Sequence, residues 1–236
     1  MKEDEFIKLE NQLTINEMFR ARQLYNMHLA YLNGDGVKRD ELKAIDFCEK
    51  AAKMGIIIAQ YDLASYYYNG LLSEKGICSQ DKEMEMAYQW FLKTATNAPE
   101  NVNSESFITK AQYNIGVFFE NGNYVKQDYK EAEKWYRFAA ESGLIEAQIN
   151  LSIILRNHFG EKAESVYWCS MAAEQGDTQA QFNLGVAYFY GYGIDKDIDK
   201  SIYWLKLAVK NHHPRAQEIL DAVEAERRGV PDTEIP

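Results

Sequence analysis

AQFNLGVAYFYGYGIDKDIDKSIYWLKLAVKN, residues 180–211, holds two helical patterns joined by a glycine turn. Ala180, Leu184, Ala187 and Tyr188 fall at i, i+4, i+7 and i+8, one apolar face of a helix. Gly191 and Gly193 stop that helix. A second pattern then carries Trp204 and Ala208 four residues apart. The stretch is one copy of several. AQYDLASYYYNG starts at Ala59, AQYNIGVFFENG at Ala111, AQINLSIILRNH at Ala147 and a decayed AQEIL at Ala216. From Ala59 onward the starts lie 52, 36, 33 and 36 residues apart. QLYNMHLAYLNG begins at Gln23, 36 residues before Ala59. A period near 36 with two helices per copy predicts an all-α solenoid.

The second half of each copy also recurs. KAIDFCEKAAKMG ends at Gly55, EAEKWYRFAAESG at Gly143 and ESVYWCSMAAEQG at Gly176. Its aromatic position is Phe47, Trp90, Trp135, Trp168 and Trp204 in turn, and the last three are expected to be inter-helix core. Asp128 ahead of Tyr129-Lys130-Glu131 reads as an N-cap with its capping-box partner, and Asp40 opens its helix the same way. Trp135, Phe138 and Ala139 are expected on one face, with Gly143 as the stop.

Two copies depart from the period. The Ala59 copy has 16 extra residues, divided between LLSEKGICSQ and NAPENVNSES. The Ala147 copy is three residues short between its helices, with His158 where others have Gly. Both changes are expected in connectors, where added length costs little. The chain therefore reads as one solenoid domain, residues 1–236. Residues 1–19 form an N-terminal cap, 20–220 about five repeats with an insert at about 71–110, and 221–236 a C-terminal cap and tail. Residues 1–13, with Phe6, Ile7 and Leu9, are expected to form a short leading helix. Thr14 and Glu17 make a capping-box pattern before a helix that runs to Asn33.

Composition narrows the function classes. Hydrophobic residues are 46% and charged residues 26%, an ordinary globular balance. A net charge of −10 repels phosphate backbones, so nucleic acid is excluded as a direct ligand and a basic partner is favoured. Cys48, Cys78 and Cys169 are odd in number and far apart, which argues against a disulfide framework or a zinc site. No apolar run approaches the roughly 20 residues of a membrane span, and MKEDEFIKLE has no signal-peptide core. The cytoplasm is the expected compartment.

The pattern AQxxLGxxYxxGxGxxxDxxKAxxWxxKAAxxG resembles the Sel-1-like repeat (SLR) family, a relative of the tetratricopeptide repeat. Ala180, Gln181, Leu184, Gly185, Tyr188, Gly191, Gly193, Asp197, Trp204 and Ala208 carry it here, and it covers roughly residues 20–220. The resemblance implies a right-handed α/α superhelix of antiparallel helix pairs, first helices lining the concave face. It implies an adaptor that binds a partner protein. Bacterial members of the family include host-interaction proteins and immunity proteins that neutralise a cognate toxin.

If positions 0, +4 and +8 of a first helix face its neighbour, then +2, +3, +6 and +9 border the concave surface. That gives Tyr25, Asn26, Tyr61, Asp62, Tyr68, Tyr113, Asn114, Val117, Ile149, Asn150, Ile153, Phe182, Asn183, Val186 and Phe189 as the expected partner site. An Asn ladder there has a donor and an acceptor for an extended peptide backbone. The alternative is that these asparagines tie adjacent repeats together. A second series, Asn33, Asn69, Asn121 and Asn157, reads as a helix-ending turn device.

Catalytic and metal motifs are not found. His28, His158, His212 and His213 stand in no ligand motif, and the last two are expected in a solvated turn. NGDG at Asn33 and YGYG at Tyr190 are turns, since no strand precedes them and no GKS or GKT follows. Asp195, Asp197 and Asp199 resemble half a calcium loop but lack its Gly and distal Glu, so they read as a helix cap. The expectation is a protein-binding scaffold, not an enzyme, with no cofactor and no metal. Its partner is a protein or extended peptide, and the chain is monomeric or weakly self-associating. A hydrolase hidden in the 71–110 insert is the enzymatic alternative.

Overall fold

The computed structural model describes residues 3–98 and 102–229, with side chains for 16–98 and 104–229. Among these residues the only regular elements are helices. The chain divides into two compact units, Met1–Gln127 and Asp128–Pro236. The first holds α1 (Glu3–Asn33), α2 (Glu41–Lys53), α3 (Ile57–Tyr68), α4 (Leu71–Glu74), α5 (Gln80–Ala95) and α6 (Val102–Asn121). The second holds α7 (Tyr129–Glu141), α8 (Ile145–Ile154), a π-helical turn (Leu155–Phe159), α9 (Lys162–Glu174), α10 (Thr178–Tyr190), α11 (Ile198–Lys210) and α12 (Ala216–Arg227). Within each unit every long helix packs on the next, as the all-α solenoid of helix pairs requires.

Local chemistry sets the helix ends. Asp40, Asp128 and Asp197 each accept a backbone N–H from the first turn of α2, α7 and α11, and Ser79 does the same for α5. Gly55, Gly143 and Gly176 follow α2, α7 and α9 with φ of 95°, 87° and 97°, a region open to glycine at little cost. Gly185 serves packing instead. A Cβ there would lie 2.7 Å from Leu205 Cγ, so only glycine lets α10 approach α11 this closely. Ser201 Oγ then donates to the Gly185 carbonyl at 2.8 Å.

Several expectations are corrected. α1 runs unbroken from Glu3 to Asn33, so Thr14 and Glu17 lie inside a helix and open none. The insert is not all connector. Its first part includes α4, and its second runs into α6, which starts nine residues before Ala111. The buried carboxylate of Glu83 secures α4, accepting N–H groups of Leu72 at 2.6 Å and Ser73 at 3.0 Å. The core lies one residue beyond the conspicuous aromatics. Cys48, Phe91, Tyr136, Cys169 and Leu205 are buried, while Phe47, Trp90, Trp135 and Trp204 are half-buried. Of the five aromatics only Trp168 is buried, and Phe138 is 45% exposed. The tail from Val230 and the side chains of Phe6, Ile7 and Leu9 lie outside the described residues.

The glutamine of each AQ pair explains the seam between repeats. Gln60, Gln148 and Gln181 are buried, and each donates to a carbonyl eight residues earlier, Ala52, Ala140 and Ala173, at 3.2, 3.2 and 3.3 Å. Each Oε1 then accepts from the end of the next second helix, from Asn97, Gln175 and Asn211 at 2.9, 2.8 and 2.9 Å. One side chain thus bridges two second helices, adding a second hydrogen bond to a carbonyl that already accepts the N–H of Gly55, Gly143 or Gly176. Two thiols add to the same seam. Cys48 donates to the Ala59 carbonyl and Cys169 to that of Ala180. Burial pushes both thiols up, Cys169 to about 12, so they are packing groups and not nucleophiles.

Candidate functional site

The expected partner residues fall into three environments. In the first unit several close over one another. Tyr25 Oη donates to Asp62 Oδ2 at 2.7 Å. The buried imidazole of His28 lies beside them, its Nδ1 bonded to the Ala44 carbonyl at 3.0 Å and its Nε2 4.0 Å from Asp62 Oδ2. The carbonyl can only accept, so Nδ1 carries the proton. Burial holds the Asp62 carboxyl above the usual range, against the opposing pull of Tyr25 and His28. Burial and then Asp62 push the Tyr25 phenol up. Tyr61 meets Phe91 and Phe107 with ring centroids 5.6 and 5.4 Å apart, and Tyr68 meets Phe91 and Phe118 at 6.1 and 5.7 Å. Tyr61 and Tyr68 are half-buried. Asn26 is exposed, and Tyr113 and Val117 are half-buried. Asn114 Nδ2 donates at 2.9 Å to the Lys110 carbonyl of its own helix.

In the second unit, α8 and α10 leave a groove. Ile149, Ile153 and Arg156 line one side, Ala180, Asn183 and Ala187 the other, with Val166 and Cys169 of α9 beneath. Asn183 Oδ1 accepts from Gln179 of its own helix at 3.0 Å. Asn150 points to α7, where its Nδ2 donates to Tyr136 Oη at 3.3 Å. Of the ladder asparagines, Asn150 therefore ties neighbouring helices, while Asn114 and Asn183 bond within their own.

The last repeat differs. Phe182 is buried beneath the His213 ring, centroids 4.1 Å apart and planes 13° off parallel. Val186 and Phe189 pack into the core that α12 completes. These three residues face α12, because that helix occupies the place a further repeat would take. His213, expected to be solvated, is half-buried. It accepts the Arg215 N–H at Nδ1 and meets Gln179 Oε1 at 3.2 Å through Nε2. His212 is exposed, with φ of 63°. His158 stacks on Tyr129, centroids 3.6 Å apart.

Among the described residues no group of three His, Cys, Asp or Glu side chains could hold a metal ion. His28 and Asp62 are close, but His28 is buried and the nearby Cys48 thiol is spent on a backbone carbonyl. On the second helices of the second unit, Arg137 of α7 bonds Glu164 of α9, which holds the Glu164 carboxyl below its usual range. That contact is a structural tie. Arg156 is not among the residues expected from the sequence. Its +9 position is a signal, but a lone arginine on a helix face is ordinary.

Comparison with known proteins accords with this geometry. The family model described as Sel1 repeat matches residues 24–56, 57–98, 109–144, 145–177 and 178–213. Among curated proteins, chitin synthase regulatory factor 3 of Schizosaccharomyces pombe is 28% identical over 97 residues, 41% of this chain and 9% of that protein. A chitin synthase regulator of Saccharomyces cerevisiae is 28% identical over 106 residues, 45% of this chain and 13% of that protein. The matched stretch thus spans about a tenth of those relatives. Among solved structures, a Sel1 repeat protein from Oxalobacter formigenes gives a TM-score of 0.68 at 29% identity, over 86% of this chain and 78% of that one. A protective antigen present in uropathogenic Escherichia coli strains, displaying an SLR fold, gives 0.66 at 27% identity, over 89% and 42%. No helix among the described residues is long and apolar enough to cross a membrane. With five repeats matched across most of its length, the chain belongs to the Sel1 repeat family.

Proposed function

We propose that this protein is an interaction scaffold that binds a partner protein or an extended peptide along the open side of its first helices. Sel1 repeat proteins generally mediate protein–protein interactions. The observation that carries the proposal is the groove between α8 and α10. It brings Ile149, Ile153 and Asn183 to one surface and leaves polar and apolar groups unfilled beside each other. Extended-peptide recognition needs that combination, groups for a backbone beside a pocket for a side chain. The half-buried Tyr61, Tyr68 and Tyr113 supply aromatic area with few rotors to freeze. A net charge of −10 favours a partner that is basic overall. The role is binding and not catalysis. Three unpaired cysteines suit a reducing compartment, so the cytoplasm is the proposed location.

Affinity capture of the tagged chain from its native cells, read by mass spectrometry, tests this. A specific partner is expected. Tyr113→Ala and Ile153→Ala should each weaken its binding by about 1–2 kcal/mol, with folding followed in parallel. Lys134→Ala, on the outer side of α7, should leave binding unchanged. Capture that depends on Lys134 and ignores Tyr113 and Ile153 would place the site on the second helices.

A further inference from the structure

Two grooves of the second unit are built from equivalent positions and differ in filling. Between α10 and α12, Phe182, Val186 and Phe189 share one apolar core with Ala216, Ile219 and Val223. Between α8 and α10 the same positions hold Ile149, Ile153 and Arg156 against Ala180, Asn183 and Ala187. Asn and Ala in place of Ile219 and Val223, with Arg in place of Phe189, leave a cavity of about 50 Å³. A single water needs about 10–15 Å³ of such volume, so the space suits the three or four carbons of an aliphatic side chain.

The polar groups around it are poised for an anion. Arg156 is the only cation at its repeat position, where the other copies carry Leu32, Tyr68, Glu120, Phe189 and Ala225. Its Nε–H reaches the neighbouring Asn157 side chain at 3.2 Å, and its guanidinium forms no ion pair among the described residues. Lys162, also without an ion pair there, holds its ammonium 5.1 Å from the ring of Tyr192, another lining residue. The nearby acid, Asp177, is engaged as the cap of α10, accepting the Ala180 N–H at 2.7 Å. Asn183 uses its carbonyl on Gln179 and keeps its Nδ2 hydrogens for a visitor.

We propose that this cavity takes the C-terminal residue of a partner chain. Its aliphatic side chain lies against Ile149, Ile153 and Val166, its terminal carboxylate meets Arg156, and its last amide carbonyl meets Asn183 Nδ2. A chain end delivers one side chain and one carboxylate from a single residue, which matches one cavity beside one open guanidinium. It does so even in a partner that is basic overall. The assignment rests on the binding role proposed above.

The test titrates the full chain, methyl-labelled at Ile and Val, with a six-residue lysine–alanine peptide ending in valine. The peptide is used as the free acid, as the C-terminal amide, and as an amide with aspartate before the valine. The free acid is expected to shift the Ile149, Ile153 and Val166 methyl signals and to bind about tenfold or more tighter than either amide. Arg156→Gln, at an exposed position, should abolish that difference and leave the melting temperature unchanged. Equal binding of acid and amide, equal binding of the aspartate peptide, or methyl signals unmoved by millimolar free acid would overturn the assignment. If the partner captured from cells binds Arg156→Gln as well as the native chain, the assignment fails and the scaffold role stands. If the native chain captures no partner, the scaffold role itself fails.

Discussion

Gln181 and Asn183 stand two residues apart on α10, and both types recur at the repeat period, yet they belong to different regions of the molecule. Gln181 is buried in the seam between repeats, bonded to Ala173 of one second helix and Asn211 of the next. Asn183 is half-buried on the groove, bonded only within its own helix. A recurring polar residue can therefore hold a repeat to its neighbour or be offered to a visitor. Burial and the identity of its partners separate the two roles. The seam should be expensive to damage and the face cheap.

The largest effect is expected at Trp168, the buried aromatic of α9. Trp168→Ala should destabilise by about 3–5 kcal/mol in denaturant unfolding. An unchanged midpoint would remove the residue from the core. Next come the glutamine struts. Gln148→Ala removes two hydrogen bonds that join α7 to α9 through one buried side chain, and should cost about 1–3 kcal/mol. A cost near zero would erase the distinction between seam and face.

Asp62 is the face position that has closed over. Burial raises its carboxyl, so the folded state favours the protonated form more than the unfolded state does. That stabilising contribution is full below the ordinary value of 3.8 and is lost as pH rises through the higher folded value. Asp62→Asn, the residue found at Asn26, Asn114, Asn150 and Asn183, should flatten this dependence and raise the melting temperature at neutral pH. A lower melting temperature there would mean that the ionised carboxylate is a strut. The smallest effect belongs to the open face. Asn183→Ala should change stability by no more than about 0.5 kcal/mol, and a loss like that of Gln148→Ala would make Asn183 part of the seam.

Much of this is legible in the chain. The period, the Asp128 cap and the Gly143 stop rest on local backbone chemistry that a residue type reveals by itself. What stays hidden depends on tertiary neighbours. Trp135 is conspicuous, but the buried residue is Tyr136, because the helix is rotated slightly from the face its largest residue suggests. Phe182 matches Tyr61 and Tyr113 in position, yet α12 and His213 cover it. The α8–α10 cavity arises from what Asn183, Ala187 and Arg156 fail to fill, and an unfilled volume has no motif. Asn150 and Asn183 look alike in sequence, and only the reach of Asn150 to Tyr136 divides them.

Site-specific photocrosslinking in the native cells decides whether partners bind along the open side of the first helices. A photoreactive phenylalanine analogue would replace Ile153, which lines the groove, or Tyr203, which is exposed on α11. A discrete crosslinked partner is expected from position 153 and none from position 203. Adducts from position 203 alone would move the site to the second helices and refute the binding face proposed for this scaffold.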